Sequence, residues 1–175
     1  MNRKFLRWTL LGLIALVALA SFAPAIGNWL GVSVKWGSQP VHQANFTDGF
    51  CRGNGVTLVV DYGQASGMET SVRCARGFDG DGWELFAATG HRVGGTKLYP
   101  IGFVCKVDGW AGAGQDCEDT PTPREGTWVY FFAKSETGQK WNFSPQGASS
   151  RNPACGTVEG WRFFAGGDKA ANKEP

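Results

Sequence analysis

The sequence predicts an α+β domain, a small, mostly antiparallel sheet carrying one short helix and stapled by disulfides. Three observations predict it. Alternating apolar stretches occur in the order strand, strand, helix, strand, hairpin, strand, which places a single helix against a sheet. The run Gly126 to Ser144, GTWVYFFAKSETGQKWNFS, is an aromatic and β-branched hairpin. Five cysteines in 175 residues complete the pattern.

The chain opens on a targeting segment. Asn2-Arg3-Lys4-Phe5-Leu6-Arg7 is a basic flank, and no charged side chain follows until Lys35. Residues 1–25 therefore read as an export signal or a membrane anchor. Ala18-Leu19-Ala20 and Ala23-Pro24-Ala25 offer the small residues of a cleavage site, whereas residues 8–26, if uncleaved, would contact the membrane. Either outcome puts the domain in the cell envelope or outside the cell. Residues 26–50 have no sustained period and read as a linker, leaving 51–165 as the folded domain.

Within that domain Val56, Leu58, Val60 and Tyr62 share one face of a first strand, and Ser71 to Arg76 forms a second. Asp81 and Glu84 have the spacing of a capping box, and Gly90 stands where a helix would stop, so Gly82 to Thr89 is the one helix. Ile101 to Val107 reads as a strand closed by an Asp108-Gly109 turn, and Gly112 to Pro123 as loop. The aromatic hairpin follows, turning at Glu136-Thr137-Gly138, and Gly156 to Phe164 is the last strand. Residues 166–175 lack apolar periodicity and read as a disordered tail.

A hairpin of the first two strands brings Cys51 to Cys74, and Cys105 and Cys117 are near enough in sequence to close a short loop. Cys155 is left over. The absence of a CxxC or of a closely spaced Cys and His set argues against zinc.

Strand alternation puts Trp128, Tyr130 and Phe132 on one face of the hairpin arm and Val129, Phe131 and Ala133 on the other. One set fills a core and the other meets a second layer, a partner or a ligand. Trp141 from the second arm and Trp161 from the last strand would extend the Trp128, Tyr130, Phe132 surface, making these five the candidate ligand-binding residues.

The succession GVTLVVDYG, SVRCA, GFVCKVDG, TWVYFFA, KWNFSPQG and GTVEGWRF resembles the transcobalamin-like carboxy-terminal domain of exported actinobacterial proteins. The resemblance covers about Cys51 to Phe164 and implies a β-grasp-like fold. It also implies a corrinoid-like ligand, since in transcobalamin such a domain closes over cobalamin together with a helical domain. This chain has no such helical domain, and Thr127, Val129 and Phe131 stand where the family usually has Tyr, Ser and Trp.

Other functions find less support. Of 17 basic residues, Arg3, Lys4 and Arg7 lie in the terminal segment, leaving 14 against 15 acidic ones, a balance that argues against a nucleic-acid partner. His42 and His91, the only histidines, adjoin no nucleophile or carboxylate pattern that spacing can connect, so the expectation is not an enzyme and no cofactor. Two readings remain. The first is an exported binding module for a planar, partly apolar small molecule, accessory to an uptake system. The second is a structural or protein-interaction domain of the cell surface without a small-molecule ligand.

Overall fold

A computed structural model describes residues 45–112, 114–134, 140–167 and 175. The targeting segment, most of the linker, the Glu136-Thr137-Gly138 turn and residues 168–174 lie outside the described residues.

The alternating stretches form a six-stranded mixed sheet of β1 (Phe46–Asp48), β2 (Gly55–Asp61), β3 (Ser71–Arg76), β6 (Gly126–Ala133), β7 (Asn142–Phe143) and β8 (Val158–Ala165). Its order is β1-β3-β2-β8-β6-β7. Every pairing is antiparallel except the central one, where β8 runs parallel to β2 with Val60 beside Trp161. A small second sheet joins β4 (Val93–Gly94) to β5 (Lys106–Val107). The first sheet therefore begins at Phe46, inside the stretch read as linker, because β1 pairs with β3 from Phe46↔Ala75 to Asp48↔Arg73.

Helix α1 (Glu84–Ala88) is shorter than the Gly82 to Thr89 expected, but its ends are as read. Asp81 Oδ1 accepts from Trp83 N at 2.9 Å and Glu84 N at 2.8 Å, while Asp81 N donates to Glu84 Oε2 at 3.1 Å, a reciprocal capping box. At the other end Gly90 takes φ 73°, with Gly90 N donating to Ala87 O and His91 N to Phe86 O at 2.8 Å, a Schellman stop.

The expected strand from Ile101 to Val107 survives only as β5. Gly102, at φ 96°, cannot continue an extended strand, and residues 101–105 run as loop. The Asp108-Gly109 turn has both φ values positive, 50° and 88°, and closes on paired Val107 and Trp110 bonds, as a two-residue type I′ turn requires.

The main core lies between the sheet and the helix. Val56, Leu58, Val60 and Tyr62 of β2 and its end, Trp161 and Phe163 of β8, and Trp128 and Tyr130 of β6 meet Leu85 and Phe86 of α1 together with Val104, Val107 and Ala148. The opposite face carries a smaller cluster of Val59, Ala133 and Val158 with Val72 and Trp141 against it.

Both disulfides expected are present, Cys51–Cys74 with Cα atoms 4.8 Å apart and Cys105–Cys117 at 5.9 Å. Such bonds belong to oxidising compartments. Cys155 is free and exposed. Peptide mapping without reduction should recover these two pairs, with Cys155 alkylated in the native protein. Cys51→Ala/Cys74→Ala should lower stability by about 3 kcal/mol in denaturant titration, the loop-closure value for a separation of 23 residues.

Candidate functional site

The five candidate ligand-binding residues do not form one exposed surface. Trp128 (6% exposed), Tyr130 (6%) and Trp161 (5%) are core residues. Trp161 does lie alongside, paired with Tyr130 across β8 and β6, and the two rings stack at 4.3 Å and 12°. Trp128 meets Tyr62 at 5.7 Å and Phe163 at 5.6 Å, both edge to face. Phe132 is half-buried beneath the Arg151 guanidinium, 4.1 Å from its ring centre.

Trp141 is on the other side of the sheet. The register Phe131↔Phe143 and Phe132↔Asn142 carries Trp141 to the position opposite Ala133, so it shares the face of Phe131 and Phe143. A one-residue difference in register decides this. Trp141 spreads over the β8 backbone at Gly160, where a Cβ would come within 2.6 Å of its ring. Pro175 adjoins the same glycine, with Cγ 2.9 Å from that Cβ position.

Beneath the aromatic core sits a charged one. Glu159 is fully buried and accepts from Arg151 Nε at 2.8 Å and Nη2 at 3.0 Å, from the Tyr130 hydroxyl at 2.8 Å and from Thr157 Oγ1 at 3.0 Å. Burial and the neighbouring carboxylate push the Tyr130 phenol well above its ordinary range. Four donors thus converge on the two Glu159 oxygens, which makes this network a structural element of the core.

The surface supplies the exposed apolar groups. Leu98 (70% exposed), Tyr99 (51%) and Ile101 (67%) stand within four residues on the loop between β4 and β5. The loop is fixed at several points. Thr96 N donates to Tyr99 O and Tyr99 N to Thr96 Oγ1, both at 3.0 Å, while Lys97 N donates to Cys117 O at 3.0 Å and Cys105 is bridged to Cys117. Gly95 has no room for a Cβ against Tyr99 O, and a Cβ on Gly102 would meet Ser149 Oγ at 2.6 Å. Sequence reading placed Ile101 on a strand and missed this loop. The signal was there in Pro100 and Gly102, which punctuate the apolar run.

A second cluster was invisible in the sequence because its members are far apart. His91, at the stop of α1, is buried between Asp108, whose Oδ2 lies 2.6 Å from Nδ1, and Ser71, whose Oγ lies 3.1 Å from Nε2. Asp108 Oδ2 also accepts from the Tyr62 hydroxyl at 2.6 Å, and Oδ1 from Arg92 N at 2.7 Å. Burial lowers the His91 pKa against the opposing pull of Asp108, and Arg73 lowers it further. Burial pushes the Asp108 carboxyl up, but hydrogen bonds from Arg92 N, His91 and Tyr62 outweigh it and hold the group below the usual carboxylate range. The arrangement suits the tautomer that donates from Nδ1 to the carboxylate, which leaves Nε2 to accept from Ser71.

No family model, curated protein or solved structure matches the chain. Its function rests on these side chains. Among the described residues no group of three or more His, Cys, Asp or Glu is placed to hold a metal ion, and no helix is long and apolar enough to cross a membrane.

Proposed function

We propose that this chain is an exported cell-envelope recognition module that binds a protein partner through the loop Lys97–Phe103. The observation that carries this reading is the exposure of Leu98, Tyr99 and Ile101 together on a loop held by a disulfide and backbone bonds. Isolated exposed apolar side chains are ordinary, but three within four residues of one anchored loop are a concentration that favours a docking role. A loop already fixed loses little conformational freedom on docking, so more of its buried area becomes affinity. The occupant this suits is a protein with an apolar cleft.

A β-grasp-like fold is supported by the hairpin β2-β3, the helix α1, the second hairpin β6-β7, and β8 returning between the hairpins parallel to β2. Together with the sequence resemblance it favours membership of the transcobalamin-like domains. Two disulfides support export, with residues 1–25 as signal or anchor. The small-molecule reading loses its aromatic surface to the core, which favours the interaction reading over it.

The test uses the full chain in its own host, with a photocrosslinking residue at Leu98 or Ile101 and a control at the exposed Gly67. One discrete envelope protein should crosslink from the loop positions only. Against that purified partner, Leu98→Ser/Ile101→Ser should weaken binding at least roughly tenfold, about 1.4 kcal/mol, in calorimetry without changing the melting midpoint. Equal crosslinking from Gly67, or unchanged affinity in the double variant, would sink the proposal. A calorimetric signal with cyanocobalamin that survives the double variant would restore the ligand reading.

A further inference from the structure

We propose that Ser71, His91 and Asp108 form a serine-nucleophile acyl-transfer site that hydrolyses carboxylic esters, an activity separate from recognition by the Lys97–Phe103 loop. Hydroxyl, imidazole and carboxylate stand in series at 3.1 Å and 2.6 Å, which is the nucleophile, base and orienting group that such chemistry needs. All three are on fixed elements. Ser71 opens β3 beside Val60 of β2, His91 is set by the helix stop through its N–H to Phe86 O, and Asp108 occupies the tight turn after β5 with Arg92 N on its second oxygen.

Accessibility and charge agree with this assignment. His91 and Tyr62 are buried, while Ser71 and Asp108 are half-buried, and with the Asp108 carboxylate bonded to His91, Tyr62 and Arg92 N the hydroxyl of Ser71 is the group placed to act as nucleophile. Arg73 follows on the same face of β3, since residues two apart in a strand point the same way. Its Nη1 is held by Thr89 O at 2.9 Å, and it lies close enough to His91 to act on the imidazole electrostatically. Its guanidinium also faces Asp48 Oδ1 at 3.7 Å and the Phe46 ring at 4.7 Å, so its part in the series is to tune the imidazole rather than to hold the negative oxygen that develops during attack. Tyr62 shares Asp108 Oδ2 and is a positioning residue.

The chemistry balances without a cofactor. Ser71 Oγ attacks the ester carbonyl carbon as its proton passes to His91 Nε2, and Asp108 stabilises the imidazolium through Nδ1–H. Collapse of the tetrahedral adduct breaks the bond to the alcohol oxygen, which takes the proton back from Nε2 and leaves the acyl group on Ser71. Water, deprotonated by the same nitrogen, then attacks the acyl-serine, and the acid departs as Ser71 regains its proton. The sum is ester plus water giving acid plus alcohol.

The disulfide-intact chain should be treated with a fluorophosphonate probe and assayed with p-nitrophenyl acetate. Peptide mapping is expected to place the phosphonyl group on Ser71, and Ser71→Ala to lose both the adduct and at least about a hundredfold of the rate, the lower end of what general-base catalysis contributes. Asp108→Asn, with circular dichroism as its folding control, should retain the hydroxyl yet lower the rate at least tenfold. Since Ser71 is a partly exposed hydroxyl, Ser71→Ala is the variant that decides if Asp108→Asn fails to fold. No adduct at Ser71, or an esterase rate equal in wild type and folded Ser71→Ala, would overturn the proposal and leave His91 as a structural tie between α1 and β3. Neither result bears on partner binding by the loop.

Discussion

Trp161→Ala is expected to destabilise the domain by about 3–5 kcal/mol, the usual cost of truncating a large aromatic side chain in a packed core. Trp161 is held from three sides. It stacks on Tyr130 at 4.3 Å, meets Phe86 of the helix at 5.6 Å, and stands on β8 between β2 and β6. Tyr130 is tied through its hydroxyl to Glu159, which hinders its ring from moving in to fill the space. Against a total stability of roughly 5–15 kcal/mol, such a loss moves the melting midpoint down by at least about 10 °C. Trp161→Phe should cost less than half as much. It preserves a ring against Tyr130 and removes an indole N–H that is buried with no acceptor among the described residues. Thermal and denaturant unfolding of both variants provides the check. A Trp161→Ala protein within about 1 kcal/mol of wild type would return this residue to the binding surface on which sequence reading placed it.

That misplacement shows what the chain reveals and what it hides. Period-two alternation put Trp128, Tyr130 and Phe132 together correctly, and the last strand does extend their face. Alternation sorts residues into two faces but does not say which face the helix covers. Here α1 and the loops around Val104, Val107 and Ala148 lie on the aromatic side. Trp141 was lost to register, since pairing Phe132 with Asn142 rather than with its neighbour sends every residue of β7 to the other side. Local chemistry was the most legible part: the capping box at Asp81, the stop at Gly90, the Asp108-Gly109 turn and both disulfides depend on near neighbours or one hairpin. The Ser71, His91, Asp108 series was not legible at all. Its members belong to three elements and meet only because β3, the helix stop and the turn after β5 converge, which no spacing in one sequence encodes.

Removing Arg151 while keeping Glu159 is the second large effect. Arg151→Met should cost about 3–5 kcal/mol, because it strips the bidentate cation from a fully buried carboxylate and leaves that charge in the interior. The methionine side chain still covers Phe132, so lost packing accounts for little of the change. Tyr130 and Thr157 continue to donate to Glu159, but two neutral hydroxyls do not replace a bidentate guanidinium. The diagnostic is a double-mutant cycle. Glu159→Gln retains the shape and removes the charge, so Arg151→Met/Glu159→Gln should be more stable than Arg151→Met alone, although it carries one more substitution. The comparison is made by urea titration of all four proteins at one pH. If the double variant is less stable than Arg151→Met by the full cost of Glu159→Gln, the two residues act independently. The network would then hold through Tyr130 and Thr157 rather than through the ion pair.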